Sequence, residues 1–181
     1  MRGPGFSYAK DLDGTVKVPA LLYKIAKDSV TFTVGDAIRI NTSGEADICA
    51  ADEYIAGFVV QVVDANGAAL TADSGTLHDY TMDSDNTTNA TKGYLIGFIP
   101  ALANYLFYND ANATTALTAT LEFTFFKLAS ESQVASNSSN DTTESELKLI
   151  ERNPDHDADT SKGLWQVVQS QFGQTGFGVY A

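Results

Sequence analysis

Residues 34–70 read VGDAIRINTSGEADICAADEYIAGFVVQVVDANGAAL. In Ile38-Arg39-Ile40 apolar and polar residues alternate at period two, as a half-buried strand requires. NTSGEA bends the chain at Ser43-Gly44, and Ala46, Ile48 and Ala50 form the next inward row. YIAGFVVQVVD is a longer, nearly continuous apolar run, the pattern of a strand covered on both faces. Gly57 inside it points to a bulge or a close backbone approach. Asn66-Gly67 closes the stretch with a hairpin signal of the type I′ kind, in which both central residues need positive φ. The stretch is strand and turn grammar with no residue set for chemistry.

The same grammar extends outward. TVKVPALLYKI (15–25) starts as a strand, but Pro19 removes a ladder donor, so the piece is an edge strand or a tether. A short strand fits Tyr80 to Met82. Pro100 divides GYLIGFIPALANYLFY into strands on either side, with PALANYLFY the best candidate for a short helix. TALTATLEFTFFKLA places Leu117, Ala119, Leu121, Phe123 and Phe125 on one face of an alternating strand. ELKLIERNPD and KGLWQVVQSQF supply two more. The expected class is all-β, a small antiparallel barrel or sandwich.

Two segments stand apart from that strand pattern, the second of them within the domain. Residues 1–22, with Gly3, Pro4, Gly5 and Gly14, read as an extended N-terminal arm preceding a single β-domain at 23–181. SESQVASNSSNDTTES (130–145) reads as a long, mobile polar loop. The tail GQTGFGVYA is glycine-rich and carries Phe177 and Tyr180.

The 181 residues are 44% hydrophobic, enough for one real core, and carry a net charge of −12. An exterior this acidic repels nucleic acid phosphates and anionic membranes, and neither is an expected partner. No apolar run reaches the roughly 20 residues of a membrane-spanning helix. The N-terminus also lacks the apolar centre of a secretion signal, which gives a soluble protein made in a cytoplasm. The charge is uneven: residues 1–28 hold five cations and three carboxylates, +2, which leaves −14 on the remainder.

Candidate chemistry is sparse. The one cysteine, Cys49, lies beside Ile48 on a strand and reads as a small buried residue. His78 stands next to Asp79 without a nucleophile elbow. His156 lies among carboxylates that keep it charged and exposed. Asp83 and Asp85 open a segment resembling a calcium loop, but its sixth and twelfth positions are Thr88 and Tyr94. Asp155, Asp157 and Asp159 form a weaker cluster. Six Asn-x-Ser/Thr sequons, at Asn41, Asn86, Asn89, Asn112, Asn137 and Asn140, follow from an Asn- and Thr-rich composition. The expectation is a non-enzyme with no catalytic residues, metal or cofactor, valued for its surfaces.

The segment from Phe32 to Leu70 resembles tailed-bacteriophage capsid decoration (cement) proteins. The resemblance is carried by Gly35-Asp36-Ala37-Ile38, the turn Ser43-Gly44, the alanine-rich strand 46–51 and Ala56-Gly57-Phe58-Val59. The closing ELKLIERNPD…SKGLWQVV is similar to the late strands of that group. What this implies is a virion-surface structural protein that binds between major capsid subunits and stabilises the shell. It implies a homo-oligomer on the capsid lattice, with a trimer as one form.

The +2 balance of residues 1–28 against an acidic body points to an attachment role for Arg2, Phe6, Tyr8, Lys10, Lys17, Leu21 and Leu22 of the arm as capsid contacts. The alternative is a surface binding module, such as a head-fibre base or a carbohydrate-binding β-sandwich. Its candidate platform is Tyr105, Phe107 and Tyr108, against their reading as ordinary core residues.

Overall fold

In the computed structural model the described residues are 5–70, 79–82, 93–110, 117–134, 146–152, 154 and 162–172. In chain order the strands are β1 (Ser7–Asp11), β2 (Leu22–Ile25), β3 (Thr31–Thr33), β4 (Ala37–Ile40), β5 (Ala46–Ile48), β6 (Gly57–Val63) and β7 (Asp79–Thr81). They continue with β8 (Leu95–Pro100), β9 (Tyr105–Asp110), β10 (Phe125–Phe126), β11 (Leu128–Ser130), β12 (Gln133–Val134), β13 (Leu147–Arg152) and β14 (Lys162–Val167).

Two five-stranded antiparallel sheets dominate. The first has the order β1-β9-β14-β13-β10 and the second β2-β8-β6-β4-β5, with two-stranded ribbons β11-β12 and β3-β7 beside them. Neither sheet closes on itself, so the sandwich half of the expectation holds and the barrel half is corrected.

One core lies between the sheets. Phe58, Ala37 and Ile99 of the second sheet meet Phe107, Leu147, Leu149 and Trp165 of the first. A second cluster covers the outer face of the second sheet, where Phe32 and Met82 at the β3-β7 ribbon pack on Ile38, Val59, Val62, Ile96 and Phe98. Consecutive residues Phe58 and Val59 therefore enter different clusters. This is why β6 is apolar almost throughout, as its sequence indicated. Trp165 is fully buried, T-shaped against Phe126 at 5.1 Å, and its indole N–H donates to the Asn109 carbonyl at 3.1 Å.

The glycine in β6 has its expected cause. A Cβ on Gly57 would lie 2.2 Å from the Ile99 carbonyl oxygen and 2.5 Å from the Phe98 ring. The bulge of this strand falls later, between Val59 and Gln61.

The turn at 64–68 departs from type I′. Gly67 has φ +83, but Asn66 is not among the positive-φ residues. The Gly67 N–H donates to Asp64 O and the Asp64 N–H to Ala68 O. This is a type I turn followed by a left-handed glycine. The Asp64 carboxylate decides it by accepting from the N–H groups of both Asn66 and Ala68. NTSG at 41–44 and DLDG at 11–14 close with the same pair of backbone hydrogen bonds.

Three other expectations change. Residues 117–126 are not one strand: Ala119–Leu121 is a 3-10 turn, Phe123 has φ +65, and only Phe125–Phe126 pairs, with β13. Local pairing overrides the alternation here, because Phe123 N–H donates to Leu149 O and Thr124 O accepts from Leu149 N–H. The kink moves the inward position from Phe125 to Phe126. Ala50 is exposed, since β5 ends at Ile48. Residues 128–134 form the β11-β12 ribbon, so the described part of the 130–145 loop is ordered structure. Residues 135–145 lie outside the described residues.

Cys49 is fully buried, and burial first, then the carboxylates of Glu53 and Glu146, push its thiol up to about 12. A thiol that stays protonated is a poor nucleophile. Native protein at pH 8 is expected to be silent toward an aromatic disulfide reagent and to release one thiol per chain in denaturant. Rapid native labelling would contradict this burial.

Candidate functional site

The proposed arm is not one unit. Phe6 is buried and stacks on Phe58 with ring centroids 4.3 Å apart. Residues 7–11 are β1, paired with β9 in the first sheet. Tyr8 packs edge-on against Tyr105 at 5.2 Å, and Lys10 lies 3.6 Å from Glu151. Leu21 packs on the main core. The extended-arm expectation is corrected for residues 6–11, which are integral to the sandwich. Arg2 lies outside the described residues. The structure brings Lys17 and Leu22 to a different place, the ribbon from Leu12 to Ile25 that links an edge of the first sheet to an edge of the second.

This ribbon is anchored. Leu12 N–H donates to Asn104 O at 2.8 Å, Asp11 N–H to Thr15 O at 2.8 Å, and Gly14 N–H to Asp11 O at 2.9 Å. Thr15 N–H donates to the Asp13 carboxylate at 2.8 Å. Lys17 folds back so that its ammonium lies 2.6 Å from Asp11 Oδ2, while Tyr8 OH donates to Asp11 Oδ1 at 2.8 Å. Val16 and Val18 on either side of Lys17 then face solvent, 76% and 97% exposed. Lys17 stays exposed as well, its side chain 58% accessible, so the two valines stand in solvent beside a cation held at Asp11.

Leu12, Val16, Val18, Leu22, Tyr23 and Ile25 are six of the nine large apolar side chains most exposed among the described residues. They fall within fourteen consecutive positions of the chain, 12–25. Pro19 precedes β2, which forms the sheet edge its sequence indicated. With four residues and Lys24 at its centre, β2 is blunted against adding a foreign strand.

Hydrogen bonding to the Lys17 ammonium, then to the Tyr8 hydroxyl, holds the Asp11 carboxyl below its ordinary value of 3.8. A depressed carboxyl contributes stability above the unfolded value and loses it as pH falls through the folded one. The clamp is therefore intact at neutral pH and opens only below 3.8. Carbon-detected NMR titration of the Asp11 carboxyl should give a midpoint below 3.8; a midpoint above it would contradict the clamp.

The other charge clusters read as structural. Asp47, nearly buried, lies 2.7 Å from Lys27 and 3.2 Å from Arg39. Burial alone would raise its carboxyl, but the two cations outweigh burial and lower it. Glu146 is fully buried and accepts from the N–H groups of Asp52 and Leu128, tying β11 to the loop after β5. Burial raises its carboxyl.

No group of three or more His, Cys, Asp or Glu able to hold a metal occurs among the described residues. His78, His156, Asp83, Asp85, Asp155, Asp157, Asp159 and every sequon but Asn41 lie outside them. The aromatic platform of the binding-module alternative is corrected: Phe107 is fully buried, and Tyr105 and Tyr108 are only partly exposed on the same strand.

No protein-family model, curated protein or solved structure matches this chain.

Sequence reasoning missed Val16, Val18 and Phe123 as surface residues. A signal for the valines was present: a DLDG turn six residues before a lysine folds that lysine back. For Phe123 the Phe125-Phe126 doublet already broke the alternation that placed it inward.

Proposed function

We propose that this protein is a non-enzymatic attachment protein of a tailed-bacteriophage head, decorating the shell and docking on major capsid subunits through the ribbon at residues 12–25. The observation that carries this reading is the exposure of Val16 and Val18 beside the clamped Lys17, apolar area whose burial against a partner favours docking. Two further features support it. The ribbon carries +1 while the rest of the chain carries −13, so it is where an acidic protein approaches an acidic shell with least repulsion. The strand and turn grammar of residues 32–70 resembles that of capsid decoration proteins. A symmetric shell presents the same site many times, so modest single contacts summed over the lattice stabilise it strongly. In this reading the protein is made in the host cytoplasm and resides on the virion surface as an oligomer.

The test is saturation binding to shells stripped of the protein. Occupancy should level off at a copy number fixed by the lattice, and the decorated shells should withstand heat better than bare ones. Occupancy that grows without a plateau would reduce the interaction to nonspecific adsorption and overturn the reading.

A further inference from the structure

Phe123 combines solvent exposure with a backbone conformation that bulky residues avoid. It has φ +65 and is 62% exposed. A bulky L-residue in the left-handed region is strained, and glycine would make the same turn without that penalty. The contacts that hold the turn are backbone ones: Phe123 N–H donates to Leu149 O at 2.7 Å and Thr124 N–H to Leu121 O at 3.1 Å. The fold requires the turn and not the ring.

What surrounds the ring has a definite chemistry. The Lys148 ammonium lies 5.6 Å from the Phe123 ring centroid and 5.7 Å from that of Phe125. No carboxylate among the described residues pairs with Lys148. Glu122, next to Phe123 in sequence, faces Arg152 at 3.9 Å and accepts from its backbone N–H. On a chain of net charge −12, two aromatic rings sharing a cation that no described carboxylate pairs with form a local exception.

We infer that Phe123, Phe125 and Lys148 form a second docking surface, fitted to an apolar socket with a carboxylate-bearing rim on a partner protein. The inference rests on the attachment reading, in which that partner is a shell subunit. Placement supports a contact separate from the ribbon. β10 and β1 are the opposite edges of the first sheet, four strand spacings or roughly 19 Å apart. One molecule thus offers a face on each side. Loss of either of two linked contacts typically lowers apparent affinity by 10²- to 10⁴-fold.

The deciding variant is Phe123→Gly, because its two readouts move in opposite directions. Relief of the left-handed strain should raise the melting temperature by about 2–4 °C for a chain of this size. Shell occupancy, measured by co-sedimentation at limiting protein, should fall at least tenfold. Lys148→Glu should also lower occupancy, with the melting temperature little changed. Wild-type occupancy for Phe123→Gly would overturn the second surface while leaving the ribbon reading standing. A lowered melting temperature would overturn it too, because Phe123 would then serve the fold. Undiminished binding by Lys148→Glu would remove the acidic rim. If the wild-type protein itself fails to bind shells, the attachment reading falls and this inference falls with it.

Discussion

A chain carrying Gly57→Ala is expected not to reach the native state. The added methyl would sit 2.2 Å from a backbone oxygen of β8 and 2.5 Å from the fully buried Phe98 ring. Neither neighbour can step aside. Ile99 O belongs to the strand that pairs with β6 along its length, and Phe98 lies in the cluster under the β3-β7 ribbon. Separating β6 from β8 by the ångström or more required would break the central pairing of the second sheet and open both cores at once. Ordinary overpacking costs about 1–3 kcal/mol. A clash against backbone at a central strand exceeds that and competes with the roughly 5–15 kcal/mol that holds a domain folded. Far-ultraviolet circular dichroism and size-exclusion elution of the soluble fraction decide the matter. A soluble Gly57→Ala protein with wild-type spectrum and melting temperature would show that the β6–β8 approach is not as close as described.

The second large effect leaves the fold alone. Val16→Ser/Val18→Ser should melt at the wild-type temperature, because both side chains are already in solvent and such surface changes stay within about 0.5 kcal/mol. On shells the same variant should lose roughly 100-fold in apparent affinity. Each valine buried on docking contributes about 1.5 kcal/mol, and about 3 kcal/mol corresponds to that factor. Serine introduces no charge, so the loss would report apolar contact and not repulsion. Unchanged affinity would mean that the ribbon faces away from the partner.

Much of the architecture was legible because burial on one or both faces writes itself into a strand. Ile38-Arg39-Ile40 alternates since β4 has two different environments. Gly57-Phe58-Val59 does not alternate since each face of β6 meets its own core. Pro19 marked the sheet edge, and Ser43-Gly44 and Asn66-Gly67 marked two of the turns. The errors share a cause, which is that periodicity reports burial and not its direction along the chain. Thr118 to Phe125 alternates as a strand should, yet pairing with Leu149 kinks it and puts Phe123 in solvent. Phe6 and Tyr8 looked like anchors for a partner because aromatics after glycines suit an arm, but they fill the domain's own core and edge. The candidate surface was the least legible part. Residues 15–25 read as an edge strand or a tether, a pattern that leaves open which side chains stand in solvent.

The most direct measurement is the composition of gradient-purified particles from the source that encodes this chain, quantified by mass spectrometry against the major capsid protein. The attachment reading predicts the protein in a fixed, lattice-determined ratio to the major capsid protein, and its depletion from particles made with the Val16→Ser/Val18→Ser form. Particles devoid of the protein, or carrying it in an undiminished ratio when both valines are replaced, would contradict it.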